Sequence, residues 1–383
     1  MNRMSNTDTP VILRKPKGAT STTPRLMSLD ALRGFDMFWI VGTEEIVHAL
    51  HKTNTSGFVN FLTAQLDHKT WEGVTFYDLI FPLFVFIVGV SLVFSLSKTM
   101  AECGRAAAYK RIFWRSALLY LIGIFYYGGF ADGVEKIRLM GVLQRLALCY
   151  FSAGLLFCTF RLRGMIIACV TLLVGYWALM TFVPVPGVGA GNFQEGTNFA
   201  NYVDKQYLPW RKWDGDHDPE GLLSTLPAIA TCLLGVFAGL LLKSKTVYDQ
   251  TKVNWLLVAG IAGVALGFLW GLQFPVIKKI WTSSYVLVAA GYGCIMLAIF
   301  YQLIDIWGYR KWAVPFVWIG TNAITIYLAH NLIDVEKLAN RFVGGPIKSS
   351  FGNYGEVLVT AVVVAMTFFF VRFLYHRKIF LRL

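Results

Sequence analysis

Apolar residues fall along this chain in long blocks divided by short polar stretches, and each block is close to the length a helix needs to cross a bilayer. The clearest runs from Leu79 to Leu96 without a charged residue. Such a run reads as a membrane helix, because in lipid a helix satisfies its backbone hydrogen bonds within one segment. The pattern predicts ten spans, at roughly 29–49, 76–97, 113–129, 139–160, 164–183, 222–242, 254–272, 283–304, 313–330 and 357–375. The expected fold is therefore all-α, a polytopic membrane helix bundle over 29–383. A polar, basic tail precedes it at 1–28, with no apolar segment of the kind a cleaved signal peptide carries.

Composition agrees: hydrophobic residues make up 56% and charged residues 15%, with mean hydropathy +0.55. These values exclude an ordinary soluble domain. Lysine and arginine gather in alternate loops, as in Arg14–Lys15–Lys17, Lys98–Arg115, Arg161–Arg163, Lys243–Lys245 and Arg310–Lys311. The positive-inside rule then places both termini in the cytoplasm. The net charge of +13 becomes a property of the inner face. Anionic lipid accounts for it, with no nucleic-acid partner. Among the loops that fall outside are the one before span 2 and the longest one, at about 184–221. The long loop carries Trp210, Trp213, Asp214, Asp216, Asp218 and Glu220. It reads either as a surface for a sugar or amine, or as a solvated loop with an interfacial tryptophan belt. Its DGDHD string lacks the downstream spacing of a calcium loop, so no metal is assigned. The six cysteines show no metal-ligand spacing, and neither zinc nor disulfides are expected.

Ionisable residues near lipid are costly and mark candidate sites. His68 precedes Asp78 by ten residues, and Asp78 stands at the mouth of span 2. A protonatable ring over a membrane cavity suggests acid–base chemistry. In span 1, Arg33 reaches Asp30 or Asp36 at helical spacing. It serves either as a neutralised cluster or as a site for an anionic phosphate. Glu44 lies near the outer end of that span. Span 4 holds Gln144 and Arg145, the latter about 9 Å deep by helical rise. Arg145 is expected to face the bundle interior and pair with Asp78, Glu44 or a ligand. Span 9 buries Asn322 and brings His330, with Tyr327 on its face, to the level of His68. No dinucleotide fingerprint, P-loop, HExxH or GxSxG is present. From these residues alone, a transporter for a sugar or sugar-acid remains open, with His68, Asp78 and Arg145 as a proton relay; so does a non-catalytic scaffold.

Six segments then occur in order: RLMSLDALRG, HKTWEGVTFYDLIFPLFVFIVG, GVLQRLALCYF, DPEGLLSTLPAIATCLLGVFAG, SYVLVAAGYG and GTNAITIYLAH. Together they resemble the heparan-α-glucosaminide N-acetyltransferase family, from about Arg25 to the C-terminus. The resemblance implies a bacterial inner-membrane enzyme, lacking the large N-terminal region of the animal members. It would pass acetyl from cytosolic acetyl-CoA to the amine of a periplasmic glucosamine or related saccharide, and act as a homodimer. The family's active histidine falls in an H-x-x-W-x-G-x-T-x-x-D-L pattern. Here that pattern is His68, Trp71, Gly73, Thr75, Asp78 and Leu79. His68 becomes the base or the acetyl carrier, and Asp78 its orienting partner. Arg33 with the basic 98–115 segment would meet the CoA phosphates. Trp71, Gln144, Arg145, Asn322, Glu44 and His330 would line the donor or acceptor path. Where family members carry an asparagine late in span 1, this chain has Glu44; an acid there points to a different acceptor or a second base.

Overall fold

A computed structural model describes residues 26–131 and 133–381. The basic residues predicted for 1–25 lie outside the described residues. The expected fold class holds. The chain runs through α1 (Met27–Phe38), α2 (Glu44–His51), α3 (Gly57–Leu66), α4 (Ile80–Tyr126) and α5 (Val142–Thr159). It continues with α6 (Leu162–Phe182), α7 (Phe199–Tyr207), α8 (Thr225–Lys243), α9 (Asp249–Gly271) and α10 (Ser283–Phe300). The last elements are α11 (Val314–Thr321), α12 (Ala323–Leu332), α13 (Val335–Val343), α14 (Pro346–Ser350) and α15 (Gly355–His376). Among the described residues, β structure is limited to two isolated bridges, Glu72–Ile277 and Val185–Gly189.

Seven of the described helices are long and apolar enough to cross a membrane, or eight if α11 and α12 form one broken span. The sequence predicted ten, and the difference lies at three interruptions. The helix of span 1 passes through a π turn at Trp39–Thr43, where Val41 and Gly42 leave helical geometry. Span 9 bends by 67° between Thr321 and Ala323. Predicted spans 2 and 3 are carried by one element, α4, whose Gly104 adopts φ 82°, ψ 175°. That conformation is open to glycine because it has no Cβ. Arg111 Nη1 donates to Thr99 Oγ1 at 2.9 Å. In a straight helix those residues would stand about 18 Å apart along the axis. The chain therefore turns back at Gly104, and α4 is two packed limbs.

Small residues let the helices approach closely, as membrane packing requires. α1 crosses α11 where a Cβ on Gly320 would lie 1.9 Å from the Asp30 carbonyl oxygen. α4 packs on α5 and α8, and α9 packs on α10. Along the first limb of α4 and the turn before it, Tyr77, Phe81, Phe84, Val88, Ser91 and Ser95 recur at steps of three and four. They form one stripe along the helix. Its opposite face, with Leu83, Phe86, Ile87 and Val90, is buried in the core with Leu32 and Leu297. One face of α4 thus anchors the bundle while the other is left for a cavity.

Candidate functional site

The segment 67–78 connects α3 to α4 and is fastened at several points. Glu72 bridges to Ile277, and the Gly73 N–H donates to the Val276 carbonyl at 2.8 Å. Trp71 Nε1–H donates to the Phe193 carbonyl at 2.9 Å. These bonds join the loop before α4, the loop between α9 and α10 and the long 184–221 segment into one surface. Trp71 is accordingly a staple between loops, with its only polar atom occupied.

Asp78 is the centre of this surface, and its side chain is fully buried. Oδ2 accepts the backbone N–H groups of Lys69 and Thr75, each at 3.1 Å. Oδ1 lies 2.8 Å from His68 Nδ1 and accepts from Lys278 Nζ at 3.2 Å. A carboxylate has no proton to donate, so the short contact requires the ring proton on Nδ1. That tautomer makes Nε2 the accepting nitrogen, with Lys278 Nζ 3.5 Å from it, and the His68 side chain is 54% exposed. The Tyr77 ring lies 4.8 Å from the imidazole, centroid to centroid. Its hydroxyl donates to Glu44 Oε1 at 2.8 Å. Glu44 thus reaches His68 through Tyr77. From below, the Tyr285 hydroxyl donates to the Asp78 carbonyl at 2.6 Å.

Beneath this surface a cavity of about 460 Å³ follows the α4 stripe from Phe81 to Ser95. By helical rise that is about 21 Å. Met37, Ile40, Phe84, Val88, Leu146 and Tyr327 are among its apolar walls, and it holds Arg33, Arg111 and Arg115. Arg33 donates to Ser91 Oγ at 2.6 Å and to the Gly320 carbonyl and Asp30 at 3.4 Å. It pairs with Asp30, whereas the buried Asp36 oxygens have no hydrogen-bond partner among the described residues. Arg115 stacks over the Tyr150 ring at 4.6 Å. Arginine forks in an apolar cavity suit a phosphate-bearing ligand with an uncharged arm.

Several predicted residues sit elsewhere. Arg145 is buried in the bundle interior as expected, but the pairing expected with Asp78 or Glu44 is not formed. Val142, Leu143, Leu146 and Tyr150 occupy the cavity face of α5. Arg145 is thereby turned away, over the Trp281 ring at 4.8 Å and bonded to the Ser224 hydroxyl. Its Nε and Nη1 have no hydrogen-bond partner among the described residues. Gln144 donates to the Arg138 carbonyl at 3.1 Å, against Gly123 and Gly141. Asn322 is buried as expected, at the α11–α12 bend, with neither amide atom hydrogen-bonded. His330 is exposed and lines a different, apolar cavity of about 230 Å³ with Met366 and Phe370. No hydrogen bond or ion pair among the described residues joins it to His68.

Three basic residues of this surface escaped the sequence reading. Lys278 contacts both His68 and Asp78. Burial lowers its proton affinity from the ordinary lysine value, with the Asp78 carboxylate pulling the other way. Arg138 grips Asp218 at 2.9 and 2.7 Å and Glu220 at 2.6 Å, between the rings of Tyr127 and Trp213. Lys279 pairs with Glu195 and Asp214, which converge on His217. Most of the acidic run in the long loop is therefore already paired with cations. The available signal was charge placement: Arg138, Lys278 and Lys279 stand in loops where the positive-inside pattern predicts few cations.

A family model described as heparan-alpha-glucosaminide N-acetyltransferase, catalytic, matches residues 25–266. The heparan-alpha-glucosaminide N-acetyltransferases of Homo sapiens and Mus musculus are each 28% identical to the chain, over 93% and 84% of its length. The chain spans 60% and 55% of the length of those two relatives.

Proposed function

The chain belongs to the heparan-alpha-glucosaminide N-acetyltransferase family, and from that premise we propose that it is a multi-pass membrane acyltransferase of a bacterial inner membrane. It moves acetyl from acetyl-CoA on the cytoplasmic side to the amine of a glucosamine or related saccharide on the periplasmic side. One observation carries the reading: a cavity that holds three arginines and ends at Phe81, one helical turn from the His68–Asp78 pair. The orientation rests on the lysine and arginine pattern. A homodimer belongs to the same reading, on family likeness alone.

The residues divide the work. Arg33, Arg111 and Arg115 meet the phosphates of acetyl-CoA, and the stripe of α4 guides the pantetheine arm toward Phe81. Asn322, at the bend beside cavity residues Thr321 and Ala323, has an amide left for that arm. At the other end an amine, largely protonated at neutral pH, must lose a proton before it can attack the thioester. Nε2 of His68 takes that proton, a contribution of about 10²–10⁴-fold. The amine nitrogen then bonds to the acetyl carbon, the C–S bond breaks, the imidazolium gives its proton to the thiolate, and the acetylated nitrogen releases its remaining extra proton to bulk water. Asp78 fixes the ring and stabilises its charged form. In the two-step variant Nε2 itself carries the acetyl group between donor and acceptor. Labelled protein formed from acetyl-CoA without acceptor distinguishes that route.

The test is acetyl transfer in proteoliposomes, with labelled acetyl-CoA on one face and a panel of amino sugars on the other. Labelled product from the wild type, lost in His68→Ala, is the expected result. Failure to bind acetyl-CoA would sink the proposal. Sugar accumulation without acetyl-CoA would favour a proton-coupled transporter.

A further inference from the structure

Lys278 belongs to no motif and lies 210 residues from His68 in sequence, yet the backbone delivers it to the ring. The loop that carries it is bridged to the His68 loop at Glu72–Ile277 and by the Gly73–Val276 hydrogen bond. Nζ lies 3.0 Å from Nδ1 and 3.5 Å from Nε2 of the imidazole. It lies 3.2 Å from the Asp78 oxygen that holds the ring.

These distances set two opposing fields on one imidazole. A carboxylate against the ring favours the charged imidazolium, whereas a cation beside it disfavours that form. Asp78, 2.8 Å from Nδ1, by itself favours the charged form of the ring, and a cation accepts no proton. We propose that Lys278 is a positioning residue that keeps His68 neutral and proton-accepting by sharing the Asp78 carboxylate and facing both ring nitrogens. The proposal rests on the reading of His68 as the proton acceptor.

The other charged or titratable groups around the ring do not substitute for it. Tyr77 turns its hydroxyl to Glu44. Glu44 stands behind Tyr77, and Asp67 faces His48 at 3.7 Å. Lys69 approaches Asp78 through its backbone N–H. Glu220, gripped by Arg138, acts on Lys278 from behind. The same geometry serves the second half of the reaction. An imidazolium formed beside an ammonium sheds its proton readily, and the departing thiolate is there to take it.

The experiment reads the ring without requiring acetyl transfer. Diethyl pyrocarbonate modifies neutral imidazole. The rate of its addition to His68, followed by mass spectrometry across pH 5–8.5 on the full chain in nanodiscs, therefore titrates that side chain. Lys278→Met is expected to raise the midpoint by about one pH unit, while Lys278→Arg leaves it within a few tenths. In an Asp78→Asn background the Lys278→Met shift should shrink, because part of it arises from the unshared carboxylate. Should Lys278→Met fail to fold, Lys278→Gln gives the same reading. An unmoved midpoint in a folded Lys278→Met or Lys278→Gln protein overturns the proposal, as does an equal shift in Lys278→Arg. A wild type that transfers no acetyl group would sink the enzymatic reading, while a shifted midpoint would still establish the effect of Lys278 on the ring.

Discussion

His68 is half exposed and held by one hydrogen bond to a buried carboxylate, so its removal costs chemistry more than packing. His68→Ala should lower kcat/KM for acetyl transfer by about 10²–10⁴-fold, with little change in thermal midpoint. Asp78→Asn should be worse for stability, because five donors converge on that carboxylate and the uncharged amide can accept through only one oxygen. Asp204 makes a separate prediction about pH. Burial raises it to about 6, while its oxygens accept the backbone N–H groups of Leu222 and Asp218. The folded state then holds this proton more tightly than the unfolded chain, whose carboxyl titrates near pH 4. Between pH 4 and 6 the folded protein carries more protons, so stability falls as pH rises. From pH 4.5 to 7 the wild type should lose about 2 kcal/mol of stability relative to Asp204→Asn, read from their thermal midpoints. His68 and Asp78 were legible because they share one short segment beside a charge-free apolar run. Lys278 was not, because periodicity and spacing carry no information about a contact 210 residues away.

Among elements, the long apolar helices were the legible part, since hydropathy reports burial in lipid directly. Their interruptions were not. The apolar residues continue across Trp39–Val41, so nothing in their hydropathy announces the π turn beside Gly42. The polar residues 98–111 read as a loop, yet they stay helical on both sides of Gly104. Gly104→Ala meets no neighbour within 4 Å, so its cost is backbone strain alone, about 1–3 kcal/mol. Gly320→Ala is expected to lower the thermal midpoint further, because its Cβ would strike the Asp30 carbonyl and push α1 from α11. Differential scanning fluorimetry in detergent ranks the two. Arg145 shows why depth alone misleads: a buried arginine in an apolar span can face any of its helix's neighbours, and only the packing of α5 decides which.

At the scale of the molecule, the charge pattern behind the proposed orientation also separates the two ends of the proposed site. The cavity arginines come from α1 and the second limb of α4, whereas His68, Asp78 and Lys278 come from loops at the other end. Arg111→Ala combined with Arg115→Ala should raise KM for acetyl-CoA by about 10–100-fold, the worth of charge-assisted contacts. The modification rate of His68 should not change. Because one helix carries the residues that line both ends, α4 works as a gauge. Each residue adds about 1.5 Å and turns the stripe by about 100°. A single residue inserted near Val85 would rotate Ser91 and Ser95 off the cavity while leaving Asp78 in place, and no loop adjustment could restore the register. The reach of the donor is thereby built into the pitch of a helix. A thioester with a shorter arm should occupy the arginine end and stop short of the ring, becoming an inhibitor where acetyl-CoA is a substrate.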